Sequence, residues 1–136
     1  MYRQTLRIES GGRGLVDITE PVTTAVISSG VDIGLCHVFI QHTSASVIIQ
    51  ENADPDVLRD LDDWMSRMVP DGSRHYRHRA EGPDDMPAHI RSAITASSVT
   101  IPVSGGRPAL GTWQGIYLYE HRHASMGRRV IITVHG

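Results

Sequence analysis

Three histidines stand where metal or acid–base chemistry can be assembled. His42 follows a strand pattern, His78 lies in a polar segment, and His89 is near the start of a helix pattern. Three neutral imidazoles are an ordinary ligand set for zinc or a related divalent metal, and nearby carboxylates can orient them. Because no HxH, HExxH or CxxC pattern accompanies them, a metal-free group of acids and bases is an equally open interpretation, and a single histidine is more often structural.

A second group of residues offers hydrogen-bond donors to an anion. The spacing predicts a local phosphate or pyrophosphate cradle, made of hydroxyl groups, an amide and the free N–H groups of a helix start. Neither a Walker loop nor GxGxxG is present, and ordinary hydrogen bonding at a strand corner and a helix cap explains the same residues. The candidates are Thr43, Ser44, Ser46, Asn52 and Asp54, with Arg91 or Arg122 as countercharge.

The late part of the chain adds an acid, a base and an aromatic ring. In a strand beginning at Ile116, Glu120 and Arg122 fall on the same face. Such neighbours bind each other or a ligand, and the ion pair between them is the favoured interpretation. Trp113 stands between two glycines, where stacking on a planar ligand and plugging the core are equally open.

The elements that position these residues follow from hydrophobic spacing. A buried strand over 33–41 ends on His42, and a second strand covers 46–52. Asp54-Pro55 then opens a helix whose apolar stripe runs to Val69, since Asp accepts free N–H groups and Pro has none to lose. The polar segment 71–85 is predicted to be a functional loop, and a short helix follows it from Asp85.

The remaining pattern is mainly strand. Thr5 to Glu9 and Gly14 to Thr19 predict an antiparallel pair joined at Gly11-Gly12, and a short helix follows and closes at Gly30. Further strands are predicted over 99–103, 116–122 and 128–135. This element order predicts an α+β fold with an antiparallel, jelly-roll-like β-sandwich core and two or three short-to-medium helices.

Composition limits the class of protein. The length of 136 residues suits a single domain over 1–136. Because 13 Lys and Arg nearly balance 15 Asp and Glu, no strongly basic surface for nucleic acid or membranes is expected. A lone Cys36 within an apolar strand fits burial in a reducing compartment, and the absence of a long apolar run predicts a soluble cytoplasmic protein.

Three blocks of sequence carry a resemblance to a known family. Gln41–Ser46 reads QHTSAS, Glu81–Ile90 reads EGPDDMPAHI and Gly111–Ile116 reads GTWQGI, in that order. Together they closely resemble the YjbQ-like family over almost the whole chain. Two departures are visible, because Arg91 stands where the family usually has Lys and Ala96 stands where Gly is common. Arginine keeps the charge but changes its geometry.

The resemblance implies a homotrimer with polar pockets near subunit boundaries and a secondary thiamine-phosphate synthase activity. That transferase joins hydroxymethylpyrimidine diphosphate to a thiazole phosphate and releases pyrophosphate. A divalent ion, zinc or magnesium, and Arg122 would neutralise the pyrophosphate, while Thr43 and Ser44 orient it and Trp113 stacks on the heterocycle. The site implied by the resemblance comprises His42, Thr43, Ser44, Asn52, Asp54, His78, Asp84, Asp85, His89, Glu120 and Arg122.

Two further functions stay open beside the transferase. A metal-dependent hydrolase of a small phosphorylated metabolite would use the same His and Asp groups to activate water. A non-enzymatic trimeric module would hold a metabolite or metal at an interface.

Overall fold

Two antiparallel sheets and three helices make up the chain. The computed structural model describes residues 1–136. In chain order the elements are β1 (Tyr2–Glu9), β2 (Gly14–Asp17), α1 (Thr19–Ser29), β3 (Gly34–Ile40), β4 (Ala45–Glu51), α2 (Pro55–Met68), α3 (Asp85–Ile94), β5 (Ser98–Ser104), β6 (Arg107–Pro108), β7 (Gln114–Glu120) and β8 (Gly127–His135).

The sheets share one hydrophobic core. The larger sheet has the strand order β1-β8-β3-β5-β6 and the smaller has the order β2-β7-β4. Alternate residues of each central strand point inward, as period two requires, so Cys36 and Val38 of β3 meet Ile116 and Leu118 of β7 in the same cluster. The predicted antiparallel α+β class is confirmed.

The predicted N-terminal strand pair is wrong. β1 pairs with β8, whereas β2 pairs with β7 in the other sheet. The chain changes sheets at Gly11-Gly12, where Gly12 has φ +103° and a Cβ atom would lie 2.6 Å from the carbonyl oxygen of His123. Two alternating runs around a glycine turn resemble a hairpin, but they do not specify which sheet each run joins.

Helix α2 begins as predicted but is only partly covered. Asp54 accepts a hydrogen bond from the N–H of Asp56 at 2.9 Å, and Pro55 occupies the first turn. Of its apolar stripe, Met65 is buried against Tyr119 of the smaller sheet. The Trp64 and Met68 side chains stay largely exposed, so the helical spacing overstates how much of this face is packed.

The other two helices seal the core and carry the site. Helix α1 buries Val22, Ala25 and Val26 in the shared core, and ends at Gly30 in the left-handed region as predicted. Helix α3 packs beside β4 and places His89, one turn into the helix, next to the corner between β3 and β4. No helix in the structure combines the length and the apolar composition needed to cross a bilayer.

Candidate functional site

Four side chains from the loop before α3 and from α3 itself converge on one point. His78 and Glu81 lie in the loop, whereas Asp85 and His89 are one turn apart on α3 and therefore share a helix face. One nitrogen or carboxylate oxygen from each lies within 4.8 Å of all the others. This His78–Glu81–Asp85–His89 cluster is the one place where the chain gathers such a set of potential metal ligands.

A backbone carbonyl oxygen fixes the orientation of the His89 ring. Its Nδ1 lies 3.0 Å from the carbonyl oxygen of Thr43, and a carbonyl oxygen only accepts, so Nδ1 carries a proton. The Nε2 atom then lies 3.1 Å from Oδ2 of Asp85. In a neutral His89 two lone pairs would face each other across that gap, and only a second proton or a cation makes the approach favourable. A histidine held through Nδ1 with Nε2 directed at carboxylates is the usual arrangement of a metal ligand.

His78 closes the other side of the cluster. Its Nε2 lies 2.6 Å from Oδ2 of Asp85 and 3.2 Å from Oε2 of Glu81. The hydrogen bond to Asp85 raises the pKa of His78, and the two negative charges add to the effect. The His78 and His89 rings meet edge to face at 5.5 Å. Without a metal, the carboxylates therefore favour the protonated form of His78.

Arg122 holds the carboxylates rather than standing free. Its Nε donates to Asp84 at 3.1 Å, Nη1 donates to Asp85 at 2.7 Å, and Nη2 donates to the carbonyl oxygen of Glu81 at 2.9 Å. Burial raises the pKa of Asp85, but the hydrogen bond from His78 and the charge of Arg122 outweigh it, so the pKa is lowered overall. All three guanidinium nitrogens have partners, so Arg122 aims Asp85 and keeps it ionised.

The favoured Glu120–Arg122 ion pair does not form. The Glu120 carboxylate is fully buried and accepts from Arg128 Nε at 2.7 Å, and only the backbone N–H of Arg122 reaches it. Arg128 also donates to the carbonyl and hydroxyl oxygens of Ser44. Burial raises the pKa of Glu120, but the hydrogen bond from Arg128 lowers it overall. Glu120 and Ser44 thus belong to a buried clamp on the strand corner and contribute no ligand to the cluster.

His42 lies beside the cluster but is not part of it. Its Nε2 accepts a hydrogen bond from the backbone N–H of Arg129 at 2.8 Å, and its Nδ1 is 3.3 Å from the Arg128 guanidinium. Burial and the charge of Arg128 lower its pKa. The predicted three-histidine set is therefore corrected, because Nε2 of His42 is occupied and Asp85 and Glu81 stand with His78 and His89 instead.

Two cavities border the cluster, one on each histidine. His89, His42 and Thr43 line a cavity of about 370 Å³ whose remaining wall is rich in serine and threonine hydroxyls. His78 lines a second cavity of about 370 Å³ formed by the loop. Thr43, whose carbonyl oxygen contacts His89, thus lies next to the cluster.

The other predicted binding residues lie elsewhere in the chain. Asn52 donates to the carbonyl oxygens of Thr112 and Gln114, Asp54 caps α2, and Trp113 lines a separate surface cavity. These residues are at the far end of β4, about 20 Å from the corner at roughly 3.3 Å per residue. Within one chain they do not reach the cluster.

Arg91 is also committed to the interior. Its side chain is fully buried, with Nη1 at 3.5 Å from Asp62 and Nη2 donating to Ser66 at 3.2 Å, both on α2. Arg91 therefore ties α3 to α2, and its guanidinium does not reach either cavity beside the cluster. This placement contradicts the phosphate-binding role expected of it.

The family model described as UPF0047 protein YjbQ-like matches residues 4–136. This chain belongs to the YjbQ-like family. A UPF0047 protein of Synechocystis sp. is 52% identical over 135 residues, covering 99% of this chain and 92% of its own. The UPF0047 protein YjbQ of Escherichia coli O157:H7 is 43% identical over 136 residues, covering 99% and 98%.

Solved structures of similar proteins agree with the fold. A YjbQ/UPF0047 family protein from Clostridium acetobutylicum superposes with TM-score 0.85 at 36% identity, covering 99% of this chain and 100% of its own. A hypothetical protein from Aeropyrum pernix K1 superposes with TM-score 0.90 at 28% identity, covering 100% and 99%. The names of these relatives state no activity.

A buried hydrogen-bond chain holds the end of α3 in this family member. Thr95 donates to the carbonyl oxygen of Arg91 at 2.7 Å, so its one hydroxyl proton is used and it accepts from Ser46. Ser46 in turn accepts from Nε2 of His121 at 2.8 Å. This order of donors leaves Nδ1 of His121 unprotonated, and it is buried without a protein partner. Burial, then the charges of Arg91 and Arg13, lowers the pKa of His121 to about 3.

Sequence reasoning missed Glu81, Arg128 and His121 as site or support residues. Glu81 carried a usable pattern, since His78, Glu81, Asp85 and His89 follow one another at helix-like intervals. Arg128 and His121 carried none, because an inward arginine or histidine in a strand is recognised only when its partners from distant strands are known.

Proposed function

We propose that this YjbQ-like chain is a metal-dependent enzyme acting on a small phosphorylated metabolite. The observation that carries the proposal is the position of His89, which is held through Nδ1 while Nε2 points at the Asp85 carboxylate. No neutral, metal-free state satisfies that contact. The cluster is the proposed metal site.

The donor set favours zinc over magnesium. Two imidazole nitrogens and two carboxylate oxygens suit zinc, whereas magnesium prefers oxygen ligands and keeps several waters. Glu81, with 63% of its side chain exposed, is the ligand most easily displaced by a substrate oxygen. Bound there, a divalent ion would neutralise negative charge on a departing pyrophosphate or activate a water molecule.

The chain's own residues then have distinct roles. Arg122 positions Asp85 and Asp84 through its planar guanidinium, and the Thr43 carbonyl sets the tautomer of His89. The Thr43 hydroxyl and the hydroxyl-rich cavity beside it can orient an uncharged part of the substrate. Arg122 therefore acts on the reaction through Asp85 and does not itself bind pyrophosphate.

For the reaction we propose thiamine-phosphate synthase-type transfer from hydroxymethylpyrimidine diphosphate to thiazole phosphate. It is supported by the family resemblance and by two cavities of similar size, one on each histidine, as a two-substrate reaction requires. The assay is pyrophosphate release from the diphosphate, with and without thiazole phosphate. Release that needs the acceptor supports the transfer, and no release under either condition opposes it.

The second candidate is hydrolysis of one phosphorylated substrate. It is favoured by the position of Trp113, which is too far from the cluster within one chain to stack on a heterocycle there. In the same assay, phosphate or pyrophosphate release without any acceptor would select the hydrolase. A non-enzymatic binding module remains the third candidate, and it would bind zinc and phosphorylated ligands without turnover.

The metal site is tested before any reaction. Purified protein is stripped with a chelator, and zinc binding is then measured by calorimetry. His89→Ala should lower zinc affinity at least 100-fold, whereas His135→Ala, an exposed histidine at the chain's end, should not. Equal zinc affinity in wild type and His89→Ala would remove the metal from the proposal.

We also propose a jelly-roll-like packing of the two sheets and assembly of three copies through the outer face of the larger sheet. That face leaves Leu35 and Phe39 of β3 about two-fifths exposed, with no helix over them. Light scattering after gel filtration should give a trimer for wild type and for Ile27→Asp, a control on α1, but a monomer for Phe39→Asp. A wild-type monomer would contradict this assembly.

We propose a cytoplasmic location as well. The one cysteine, Cys36, is buried in the core, where burial raises the pKa of its thiol to about 11 and keeps it unreactive. The nearly balanced charge fits a small metabolite as partner and not nucleic acid or a membrane surface. Cell fractionation with an antibody against the chain tests the location.

A further inference from the structure

The loop between α2 and α3 forms a cavity with positive charge at its wall. The cavity measures about 370 Å³, and Arg74, Tyr76, His78 and Arg79 are among its lining residues. Its size falls within the range of small-ligand sites, toward the lower end. Because His78 belongs both to this cavity and to the metal cluster, anything bound in the cavity lies next to the cluster.

The Arg79 guanidinium is held in place by the loop's own backbone. Its Nε donates to the carbonyl oxygen of Tyr76 and its Nη2 donates to the carbonyl oxygen of Arg74, both at 2.6 Å. Its Nη1 makes no hydrogen bond to the protein, and neither Arg79 nor Arg74 forms an ion pair. The Tyr76 hydroxyl donates to the carbonyl oxygen of Pro70 at 3.0 Å, which fixes the ring at the wall.

Arg74 and Arg79 are the arginines in the wall of this cavity. The Arg122 guanidinium donates its hydrogen bonds to Asp84, Asp85 and a carbonyl oxygen, and Arg91 is buried against α2. The cavity on the His89 side has no arginine or lysine in its wall. An anionic group in the cavity on the His78 side therefore meets unpaired guanidinium in its wall, whereas one in the cavity on the His89 side does not.

We propose that this loop cavity binds the phosphate or diphosphate group of the substrate, with Arg74 and Arg79 as its countercharges. The inference rests on the proposed metal-dependent function and names where the substrate's anionic end binds. Arginine suits this role because its planar donors match phosphate oxygens. Phosphate recognition thus moves from Arg91 and Arg122, where the sequence pointed, to the loop.

Metal and phosphate binding should be coupled at this site. The Glu81 and Asp85 carboxylates repel an anion in the neighbouring cavity, and a bound cation offsets that repulsion. By linkage, phosphate must raise zinc affinity by the same factor as zinc raises phosphate affinity. The factor expected for such coupling is about 5- to 150-fold.

The test is a phosphorus NMR titration of the full chain with inorganic phosphate. Metal-free protein and protein loaded with one equivalent of zinc are compared, and zinc affinity is measured separately by calorimetry. Arg74→Gln removes a charge without touching the loop's backbone hydrogen bonds, because only the carbonyl of Arg74 takes part in them. Arg79→Gln removes the second charge, and Arg59→Gln, an exposed arginine paired with Asp56 on α2, is the matched control.

The expected result is phosphate affinity about tenfold lower in Arg74→Gln and Arg79→Gln, with zinc affinity unchanged in Arg74→Gln, and Arg59→Gln like wild type in both. Phosphate affinity equal to wild type in both loop variants, or no phosphate binding by the wild type, overturns the inference. If the protein still binds zinc when phosphate binding fails this test, the proposed metal site is unaffected. If the wild type binds no zinc, the proposed metal-dependent function is wrong. The cavity remains a phosphate site in that case if phosphate binding still depends on both arginines.

Discussion

The buried His121 makes this protein lose stability in mild acid. Its pKa is lowered from 6.5 to about 3 in the folded chain, so it stays neutral when folded and takes up a proton when unfolded across that window. The unfolded state then binds more protons, and the free energy of unfolding falls as the pH falls from about 6.5. The stability contributed by His121 is fully present above that pH.

The magnitude follows from the width of the window. Each pH unit in which only the unfolded chain holds the proton costs about 1.4 kcal/mol. From 6.5 to about 3 the loss reaches about 5 kcal/mol at most, which is a large share of a typical stability of about 5–15 kcal/mol. His121→Gln keeps a donor for Ser46 but cannot titrate, so it should lack this part of the pH dependence.

Urea denaturation at pH 7, 6, 5 and 4 measures the effect. Wild type should lose about 1.4 kcal/mol more per pH unit than His121→Gln below pH 6, and His135→Gln should follow the wild type. An NMR titration should find the His121 ring neutral at pH 5, with its one proton on Nε2. Parallel stability curves for wild type and His121→Gln would refute the reasoning, because they would mean that His121 charges as readily folded as unfolded.

Three further predictions concern the site and its support. The pKa of His78 is raised, and zinc binds only the neutral ring, so zinc affinity should fall about tenfold per pH unit once the pH drops below that pKa. Calorimetry at pH 8, 7 and 6 measures the zinc affinity, and an affinity that does not change with pH would contradict the prediction. Arg122→Lys keeps the charge but loses the three-way hydrogen bonding, so zinc affinity should drop about 10- to 100-fold with an unchanged circular dichroism spectrum. Arg128→Met leaves Glu120 buried and unpaired, so urea denaturation should report a loss of about 3–5 kcal/mol, much of it recovered when Glu120→Leu is added. No recovery in the double variant would mean that the clamp stabilises the strand corner by more than pairing two charges.

The sequence predicted some residues of the cluster correctly and others wrongly, and the difference has a physical explanation. His78, Asp85 and His89 were predictable because they lie within twelve residues of one another, where the loop and one helix turn set their separation. His42 was misassigned as a ligand because its neighbours come from β8, which is more than eighty residues away. Asn52, Asp54 and Trp113 were placed correctly in their local elements, yet those elements lie at the opposite end of β4.

Local chemistry along the chain was enough to specify the elements. Alternation marked the buried face of β3, Asp54-Pro55 marked the start of α2, and Gly30 marked the end of α1, because these choices depend on a few bonded neighbours. The tertiary structure was needed to pair β1 with β8, to give Arg128 to Glu120, and to turn Arg122 toward Asp85. Those pairings join residues that are far apart in sequence. Similar side chains at several other positions could have made the same contacts, and only the closing of the two sheets on one core selects among them.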